Sequence, residues 1–573
     1  MLTAEEILSK YWGYPSFRKN QEKIINSVIQ GKDTLALLPT SGGKSICYQI
    51  PSLMMEGICI VVSPLISLMH DQLQELRKRN IKAISIDSGL TFEEINTQLT
   101  NCVFGNYKFL YISPEKLQNE FIKEKIMEMN VNLLAIDEAH CISEWGNNFR
   151  PSYRNISSMR DYIKDAPILA LTATATDQVA NDIQNNLKFY QKNKIQSSFI
   201  RDNLSYILIK ENNKKKKLIE ILNKIDGSSI IYVNSRNQAE QIDIFLKEEN
   251  IKSEFYHAGI SIKERNKRQL SWQLGRTKTI VATNAFGMGI NKKDVRMVIH
   301  LAIPYNIESY FQEVGRSGRD KNESFAISLY NDNDIKKVNN LQRLFPSKFE
   351  IEEFYTKLAN HLQVPINSGR SESFRFNLIY FIKKYNLNKF KTKKIIDYLA
   401  KKEFLELNNI ILKQSRIQIK ITNQELNKFL KSNKYYNPLI KLLLRSYSGI
   451  FEKYININEL IFEVKLGLKE QEIIKQIKRL EKLEVLKYIP KGKYCEVKYL
   501  HNRKDIKYLN IHDQEIKNWG EFEKNRIKSI KEYYENESSC RQKILVSYFG
   551  EKIKIDCNKC DICRKRNNLK KNI

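Results

Sequence analysis

The sequence predicts an α/β protein with two parallel-sheet lobes, then a mainly α-helical region and a small cysteine-rich module. Three observations support this prediction. Short apolar runs alternate with helix-like stretches up to about residue 340, this rhythm restarts once, and four cysteines crowd residues 540–563. At 573 residues the chain is also too long for one hydrophobic core, so we expect about three or four domains.

The apolar runs of the first 340 residues predict parallel strands, because strands covered by helices on both faces are apolar throughout. The runs lie at 34–38, 59–62, 109–112, 133–136 and 168–171, and again, after a lysine run at 214–217, at 229–233, 279–282 and 298–301. We therefore expect one lobe over residues 1–205 and a second over 206–340.

Beyond residue 340, two stretches share one pattern. Residues 392–399 and 472–477 have helical apolar spacing, and short apolar runs follow at 404–407 and 485–488. A helix followed by a strand is how a winged-helix unit ends, so we predict a linker and one such unit over 341–435 and a second over 436–530. Two ordinary amphipathic helices would give the same pattern at either place alone.

The net charge of +30 is concentrated in the C-terminal part. Residues 341–573 carry 50 Lys and Arg against 27 Asp and Glu, a balance of +23 that leaves +7 for the rest. A basic surface attracts a phosphate backbone, which makes nucleic acid the first partner to consider. The alternative is an AT-rich genome, which would also enrich the chain in Lys, Ile and Asn.

Nothing in the sequence resembles a membrane or export signal. No stretch approaches the roughly 18 apolar residues of a membrane span, and the opening residues lack the basic-then-apolar pattern of a signal peptide. We expect a cytoplasmic protein, in the bacterial cytoplasm or nucleoid, with no membrane partner.

A glycine loop separates the first predicted strand from a helical run that begins at Ile46. This order turns backbone N–H groups and the helix dipole toward phosphates. Lys44 would neutralise the β and γ phosphates, and the Ser45 hydroxyl would hold Mg²⁺. Position 38 is Leu where the general phosphate-loop pattern has its first glycine, so a surface turn is the alternative. The candidate nucleotide-binding residues of the loop are Thr40, Ser41, Gly42, Gly43, Lys44 and Ser45.

Two further motifs would complete a catalytic set with Lys44. Asp137 and Glu138 follow the buried run 133–136, where the aspartate can reach Mg²⁺ and the glutamate can polarise an attacking water. Arg316 and Arg319 are flanked by glycines in the second lobe and can reach across a cleft to a transferring phosphoryl group. Dividing the charges between two lobes would couple hydrolysis to lobe closure.

Together these motifs resemble superfamily 2 helicases, and the segments between them are similar to those of RecQ-family DNA helicases. The similar segments lie at 11–21, 61–69, 171–176, 232–236, 256–259 and 282–290, and the resemblance covers about residues 5–335. It implies two RecA-like motor lobes that hydrolyse ATP with Mg²⁺, move 3′ to 5′ on single-stranded DNA and unwind duplexes. It also implies work in DNA repair and recombination, with DNA repair or replication proteins as candidate partners.

The resemblance assigns further residues to binding. Tyr14 and Arg18 would sandwich the adenine, while Gln21 would hydrogen-bond its edge. Residues 141–151 are similar to the family's aromatic-rich loop, which senses single-stranded DNA through rings that stack on bases of any identity. The candidate DNA contacts of this loop are Trp145, Phe149 and Arg150.

The sequence departs from the family at four positions near these motifs. The family usually has Gln at 144, often His or an aromatic at 147, and Asp at 148 and 291, whereas this chain has Glu144, Asn147, Asn148 and Asn291. We expect these departures to affect how strongly DNA binding is coupled to ATP hydrolysis, while the core catalytic motifs are intact.

Four cysteines near the end have the spacing of a metal site. Cys540, Cys557, Cys560 and Cys563 form the pattern C-x16-C-x2-C-x2-C. Four thiolates suit tetrahedral Zn²⁺ and leave no open coordination position, so the predicted metal is structural; reduced free thiols are the alternative. The intervening residues resemble the family's zinc module, which we predict over 531–573 with a basic tail. In the best-known members this module follows the motor directly, whereas here it follows the winged-helix-like region.

Two rival functions remain from the sequence. An RNA helicase would differ in whether RNA or DNA stimulates its ATPase activity. A catalytically weak DNA-binding or annealing scaffold would not need Lys44, Glu138 and Arg319, all of which are present.

Overall fold

The computed structural model describes residues 2–39, 42–87, 89–145, 150–163, 165–287, 290, 292–342, 344–412 and 414–571. The chain forms two compact units. One consists of Met1–Leu344 and Lys517–Ile573, and the other of Phe345–Ile516. The α/β class and the two parallel-sheet lobes predicted from the sequence are confirmed.

The first lobe is built on a seven-stranded parallel sheet with strand order β3-β4-β2-β5-β6-β1-β7. Its strands are β1 Thr34–Leu37, β2 Ile58–Val62, β3 Ala83–Ile86, β4 Phe109–Ile112, β5 Val131–Ile136, β6 Ile168–Thr172 and β7 Lys194–Gln196. Its helices are α1 Ala4–Trp12, α2 Gln21–Ile29, α3 Ile46–Met54, α4 Ile66–Arg77, α5 Phe92–Phe104, α6 Glu120–Met127, α7 Pro151–Arg154 and α8 Asp177–Asn186.

Both faces of this sheet are covered, which explains why its central strands are mostly apolar. In β1, Leu35 and Leu37 belong to the core on one face, while Ala36 belongs to the core on the other. Alternating side chains along a strand point to opposite faces, so most positions are apolar. The five predicted strands of this lobe are confirmed as β1, β2, β4, β5 and β6.

The second lobe has a six-stranded parallel sheet with strand order β10-β11-β9-β12-β13-β8. Its strands are β8 Leu204–Lys210, β9 Ser228–Tyr232, β10 Ser253–Tyr256, β11 Thr279–Ala282, β12 Val295–His300 and β13 Ser324–Tyr330. Its helices are α9 Lys214–Lys224, α10 Arg236–Glu248, α11 Ile262–Gln273, α12 Ile307–Val314 and α13 Asp332–Gln342. The predicted boundary at 205/206 falls inside β8, because this strand pairs with β13 along its whole length.

The second unit contains two small antiparallel sheets, with orders β14-β19-β15 and β17-β16-β18. Its strands are β14 Ser373–Phe376, β15 Leu405–Leu412, β16 Ser415–Ile419, β17 Ile455–Ile457, β18 Leu486–Ile489 and β19 Gly492–Tyr499. Its helices are α14 Lys348–His361, α15 Leu378–Lys384, α16 Lys389–Lys401, α17 Asn423–Ser432, α18 Asn437–Ser446, α19 Glu459–Leu466 and α20 Glu470–Lys482.

The helix-then-strand pattern occurs at both predicted places, as α16 followed by β15 and α20 followed by β18. The units are not arranged one after the other, however. A single hydrophobic core extends from Ile417 to Tyr488, so the predicted boundary at 435/436 falls inside it. Strand β15 instead pairs with β19, which follows that core in the chain. The core over 417–488 is therefore an insertion in the sequence between two paired strands.

Three helices end the described chain, α21 Asp513–Glu535, α22 Arg541–Tyr548 and α23 Asp561–Lys571. The sulfur atoms of the four predicted zinc ligands lie within 4.8 Å of one another. Backbone N–H groups of Cys557, Cys560 and Cys563 donate to the sulfur atoms of Cys540, Cys557 and Cys560, at 3.3 to 3.4 Å. Such hydrogen bonds favour thiolates, so this cluster fits a structural Zn²⁺. None of the described helices is long and apolar enough to cross a membrane.

Removing a ligand should unfold the zinc module and leave the lobes folded. Structural zinc contributes roughly 10–16 kcal/mol of apparent binding free energy in small peptides, more than the short segment around Cys557 could replace. We expect about one zinc per wild-type chain by elemental analysis and a marked loss in Cys557→Ser. ATP binding by the mutant should persist, since each lobe has its own core.

The same substitution outside the cluster, Cys102→Ser in the core of the first lobe, is the control and should keep the metal. A metal-free wild type whose last two helices remain folded under reducing conditions would contradict the structural role.

Candidate active site

The predicted phosphate loop joins β1 to α3 in the first lobe. Lys44 and Ser45 directly precede α3, and Gly43 has a φ of +71°. This left-handed backbone conformation favours glycine, and a Cβ atom at Gly43 would also displace the amide of Gln21, which lies 2.5 Å from that position. The Gln21 amide donates to the carbonyl oxygens of Gly42 and Gly43 at 3.2 and 3.0 Å. Thr40 and Ser41, also predicted to bind phosphate, lie outside the described residues.

The acidic pair lies at the carboxyl end of β5, facing the loop. Asp137 donates its N–H to the carbonyl oxygen of Val62 at 2.9 Å, and its carboxylate accepts the Glu138 N–H at 2.9 Å. Glu138 has a φ of +49°, a strained conformation for a residue other than glycine and one that is common at functional sites. This turn brings a carboxylate oxygen of Glu138 to 3.6 Å from the Lys44 ammonium.

Burial and neighbouring charges give the two carboxyl groups different properties. Burial raises the pKa of Asp137 to about 6, with Glu138 adding to the rise and Lys44 opposing it. Burial also disfavours the Glu138 charge, but Lys44 and His140 hold the pKa of Glu138 well below its ordinary range. Glu138 is therefore an ionised acceptor at neutral pH. The Asp137 carboxylate and the Ser45 hydroxyl line the same cavity, and such hard oxygen ligands fit Mg²⁺.

The two arginines follow α12 in the second lobe. The Arg316 guanidinium donates to the carbonyl oxygen of Gly287. A Cβ atom at position 287 would overlap this guanidinium, so the glycine leaves room for Arg316. Arg319 donates to the carbonyl oxygen of Ile290. Burial, together with Arg316 and Arg201, lowers the pKa of Arg319 to about 9. Within the described residues, no carboxylate lies within 4.0 Å of Arg316 or Arg319, so both are cations that an added anion would stabilise.

One cavity of about 500 Å³ collects these groups from both lobes. Its charged and polar lining includes Lys44, Ser45, Asp137, Glu138, Arg316 and Arg319, together with Gln273 and Lys293. The last two residues were not predicted, because neither belongs to a recognisable motif. The arrangement can hold a polyanion between cations of two lobes, with the ionised Glu138 beside it and with Ser45 and Asp137 as the residues that would hold a magnesium ion.

Polar contacts connect the acidic pair with the second lobe. The His140 ring lies 3.2 Å from the Glu138 carboxylate and 3.0 Å from the Thr172 hydroxyl. Two residues further, the Thr174 hydroxyl accepts a hydrogen bond from the Gln312 amide of α12 at 3.3 Å. The helix that precedes the arginines is thus in direct contact with the first lobe.

A second cavity, of about 250 Å³, lies beside the phosphate loop and is lined by the predicted adenine residues Tyr14, Arg18 and Gln21. The Tyr14 ring is 45% exposed and free to stack on a base. Gln21 also accepts the Arg18 N–H at 2.8 Å. The side chain of Gln21 therefore links the loop at Gly42 and Gly43 to the Arg18 segment that lines this second cavity.

The described part of the aromatic loop contacts several elements. The Trp145 ring lies 5.0 Å from that of Phe522 in α21. The Arg150 guanidinium donates to the carbonyl oxygen of Pro64 at 3.2 Å and lies 3.8 Å from the Glu115 carboxylate. The predicted contact Phe149, and the departures Asn147, Asn148 and Asn291, lie outside the described residues.

Glu144, the remaining departure from the family pattern, accepts a hydrogen bond from Arg154 at 2.7 Å. This ion pair joins the start of the aromatic loop to α7. The negative charge at position 144 therefore has a structural partner within the first lobe.

Four family models match the chain, and they do so in sequence order. They are DEAD/DEAH box helicase over 18–183, helicase conserved C-terminal domain over 213–321, the Bacteroidota RecQ helicase winged-helix domain over 417–490, and RecQ zinc-binding over 503–564. A zinc-binding match after the winged-helix match agrees with the order predicted from the sequence.

Curated relatives are about 40% identical. The ATP-dependent DNA helicase RecQ of Pasteurella multocida is 41% identical over 329 residues, covering 57% of this chain and 52% of that protein. RecQ of Bacillus subtilis is 40% identical over 384 residues, covering 66% and 64%. RecS of Bacillus subtilis is 40% identical over 336 residues, covering 57% and 67%. The chain thus spans between half and two thirds of the two RecQ proteins.

A crystal structure of the DUF1998 helicase MrfA bound to DNA has a similar fold. Its TM-score is 0.50 at 19% identity, and the match covers 71% of this chain and 59% of that one. This likeness concerns the fold alone.

Removing either central charge of the first-lobe site should abolish ATP hydrolysis. Lys44→Ala removes charge compensation for the phosphates, and Glu138→Gln removes the ionised carboxylate while keeping its shape. Glu138→Gln should still bind ATP, which a fluorescent analogue would measure. Glu128→Gln, an exposed isosteric change in the same lobe, is the control and should turn over normally. Substantial hydrolysis by either site mutant would contradict the assignment.

Arg319→Ala should lower ATP turnover by about 10³-fold or more, on the scale of other arginines that stabilise phosphoryl transfer. The KM for ATP should change little, because the guanidinium acts mainly on charge that develops in the transition state. Arg316→Ala should have an effect of similar direction. Steady-state kinetics provides the measurement, with the exposed Arg276→Ala of the same lobe as control. A change confined to ATP affinity would remove the transition-state role of Arg319.

Proposed function

This chain belongs to the RecQ family of helicases, and we propose that it is an ATP-dependent DNA helicase. In this proposal it hydrolyses ATP to move 3′ to 5′ along single-stranded DNA and unwinds duplexes, as part of DNA repair and recombination. The observation that carries the proposal is the cavity in which Lys44, Asp137 and Glu138 of one lobe face Arg316 and Arg319 of the other.

The proposed roles follow from this geometry. Lys44, which is paired with Glu138 in this structure, binds the β and γ phosphates instead when ATP is present. Ser45 and Asp137 would hold Mg²⁺. Glu138, held ionised by its neighbours, orients and polarises the attacking water. Arg319 and Arg316 stabilise charge on the transferring phosphoryl group. Magnesium supplies further charge compensation when bound.

Lobe movement follows from the same charges. The buried arginines gain a counter-anion only when they approach phosphates held by the first lobe, so nucleotide binding favours a closed arrangement. Loss of the γ phosphate removes that stabilisation and favours reopening. Alternating closure of two lobes that each contact the strand would move the protein along DNA.

The basic C-terminal region offers a surface for duplex DNA. Helix α20 buries Ile473, Ile477 and Leu480 in the core of its winged-helix unit. Its opposite face carries the exposed cations Lys475, Lys478, Arg479 and Lys482. Residues three, four and seven positions apart lie on one face of a helix, so these cations form a continuous stripe that suits a phosphate backbone.

The proposed partners and location follow from the DNA substrate. We propose single-stranded and duplex DNA, with DNA repair or replication proteins as further partners. The similarity to bacterial proteins supports the bacterial cytoplasm or nucleoid as the place of action.

Hydrolysis and unwinding assays test the proposal directly. ATPase activity would be measured without nucleic acid, with single-stranded DNA and with RNA, followed by unwinding of DNA duplexes with 3′ or 5′ tails. We expect stimulation by DNA and unwinding of the 3′-tailed duplex. Stimulation by RNA alone would favour an RNA helicase, and DNA binding without hydrolysis would favour a scaffold.

The aromatic loop should separate binding from coupling. Trp145→Ala or Arg150→Ala is expected to reduce DNA-stimulated ATPase more than basal ATPase, because the ring and the guanidinium contact the strand while the ATP site remains intact. Phe104→Ala removes an aromatic ring that is 80% exposed elsewhere on the first lobe and serves as control. Equal losses with and without DNA would disprove the coupling role.

A further inference from the structure

Helix α21 contacts both motor lobes through two residues one turn apart. Phe522 lies against the aromatic loop of the first lobe, and Arg526 pairs with α12 of the second lobe. We propose that α21 couples strand binding to ATP hydrolysis, with Phe522 and Arg526 as positioning residues between Trp145 and the arginines that follow α12. This inference rests on the proposed nucleic-acid-stimulated ATPase activity.

The attachment of α21 to the second lobe is buried and ionic. The Arg526 guanidinium lies 3.0 Å from the Glu308 carboxylate, which also accepts a hydrogen bond from the Tyr548 hydroxyl at 2.9 Å. The side chains of Arg526 and Glu308 are 8% and 7% exposed. A buried ion pair of this kind is strongly destabilised when one partner is lost, so it fixes the two helices to each other.

Ring contacts extend this attachment along α12. The Tyr533 ring of α21 lies 5.3 Å from that of Tyr310, and the Phe549 ring lies 5.0 Å from that of Phe311. Glu308, Tyr310 and Phe311 all precede Gln312, the residue that contacts the first lobe. Helix α21 and the end of α22 therefore pack along α12, next to the start of the arginine segment.

The contact of α21 with the aromatic loop is of a different kind. The Trp145 and Phe522 rings meet edge to face, at 5.0 Å and 71°. The Arg526 guanidinium lies 5.6 Å from the centre of the Phe522 ring. Arg526 therefore contacts both Phe522, which meets Trp145, and Glu308, which lies in α12. Separating such a ring pair costs less than leaving one partner of a buried ion pair alone, so we expect the aromatic contact to change first when the lobes move.

These contacts give strand binding an effect on the arginines. A base that stacks on Trp145 competes with Phe522 for the same ring, or moves that ring relative to α21. Because α21 is fixed to α12, a change at Trp145 alters the preferred arrangement of α12, and of Arg316 and Arg319 after it, relative to the first lobe. Strand binding and lobe closure then bias one common equilibrium, as coupling requires.

The first test compares Phe522→Ala with Asn525→Ala, an exposed substitution on the same helix that removes no ring. We expect Phe522→Ala to leave basal kcat within about twofold and to reduce DNA-stimulated kcat by about 2- to 30-fold, the range for changes along coupling networks. Asn525→Ala should retain full stimulation. Phe522 is only half-buried, so the variant should fold, which its melting temperature would verify.

A double mutant tests whether Phe522 acts through Trp145. If it does, Trp145→Ala/Phe522→Ala should show about the stimulation of Trp145→Ala alone, because the second change removes a contact that is already lost. Multiplied losses would mean that Phe522 acts independently and would overturn the proposal.

The second-lobe attachment is tested by Arg526→Gln against the conservative Arg526→Lys. We expect Arg526→Gln to lower stimulated kcat with little change in the KM for ATP, and Arg526→Lys to restore part of it by keeping the charge. Tyr548→Phe removes the hydroxyl that donates to Glu308 and keeps the ring, and it should act in the same direction, which keeps the test valid if Arg526→Gln fails to fold.

The wild-type protein distinguishes failure of the proposed function from failure of the proposed role of α21. Absence of DNA-stimulated hydrolysis in the wild type would overturn the proposed function and this inference together. Normal stimulation in the wild type with equal stimulation in Phe522→Ala would overturn the role of α21 alone.

Discussion

Charge neutralisation across the cleft between the lobes is the constraint on which the other features of the motor depend. Lys44 and Glu138 form an ion pair within the first lobe, whereas no carboxylate of the described residues lies within 4.0 Å of Arg316 or Arg319. A buried cation without a close counter-anion is costly, so an anion that arrives from the first lobe stabilises the second lobe. The parallel sheets, the strained turn at Glu138 and the placement of α12 all hold these charges at the cleft.

Much of the lobe architecture could be predicted because its signal is local. A strand buried on both faces is apolar along most of its length, and the runs that became β1, β5 and β9 show this. The strands that were missed carry weaker signals. Edge strand β7 has three residues, none of which is buried. Strand β3 has only four residues, and a serine interrupts its apolar run. The pairing of β15 with β19 has no local signal, because a whole hydrophobic core lies between the two strands.

The candidate site divides in the same way. Each motif lies within one short segment of the chain, Lys44 after β1, Asp137 after β5 and Arg319 after α12, so residue type and spacing indicated all three without knowledge of the fold. The contacts between motifs could not be read from the sequence. The hydrogen bond from Gln312 to Thr174 joins residues far apart in the chain, and nothing near Phe522 indicates that it meets the aromatic loop. Such contacts depend on how separate elements pack, which periodicity does not encode.

The ion pair between Glu308 and Arg526 joins residues 218 positions apart, and this separation matters while the protein is being made. At roughly 5 to 20 residues per second, a ribosome needs about 10 to 40 s to add that length of chain. During this interval the second lobe can fold, but the outer face of α12, with Tyr310 and Phe311, has not met its covering helices. The nascent chain therefore presents an aromatic surface that chaperones can bind. Premature termination before α21 would leave that surface permanently exposed and prone to aggregation.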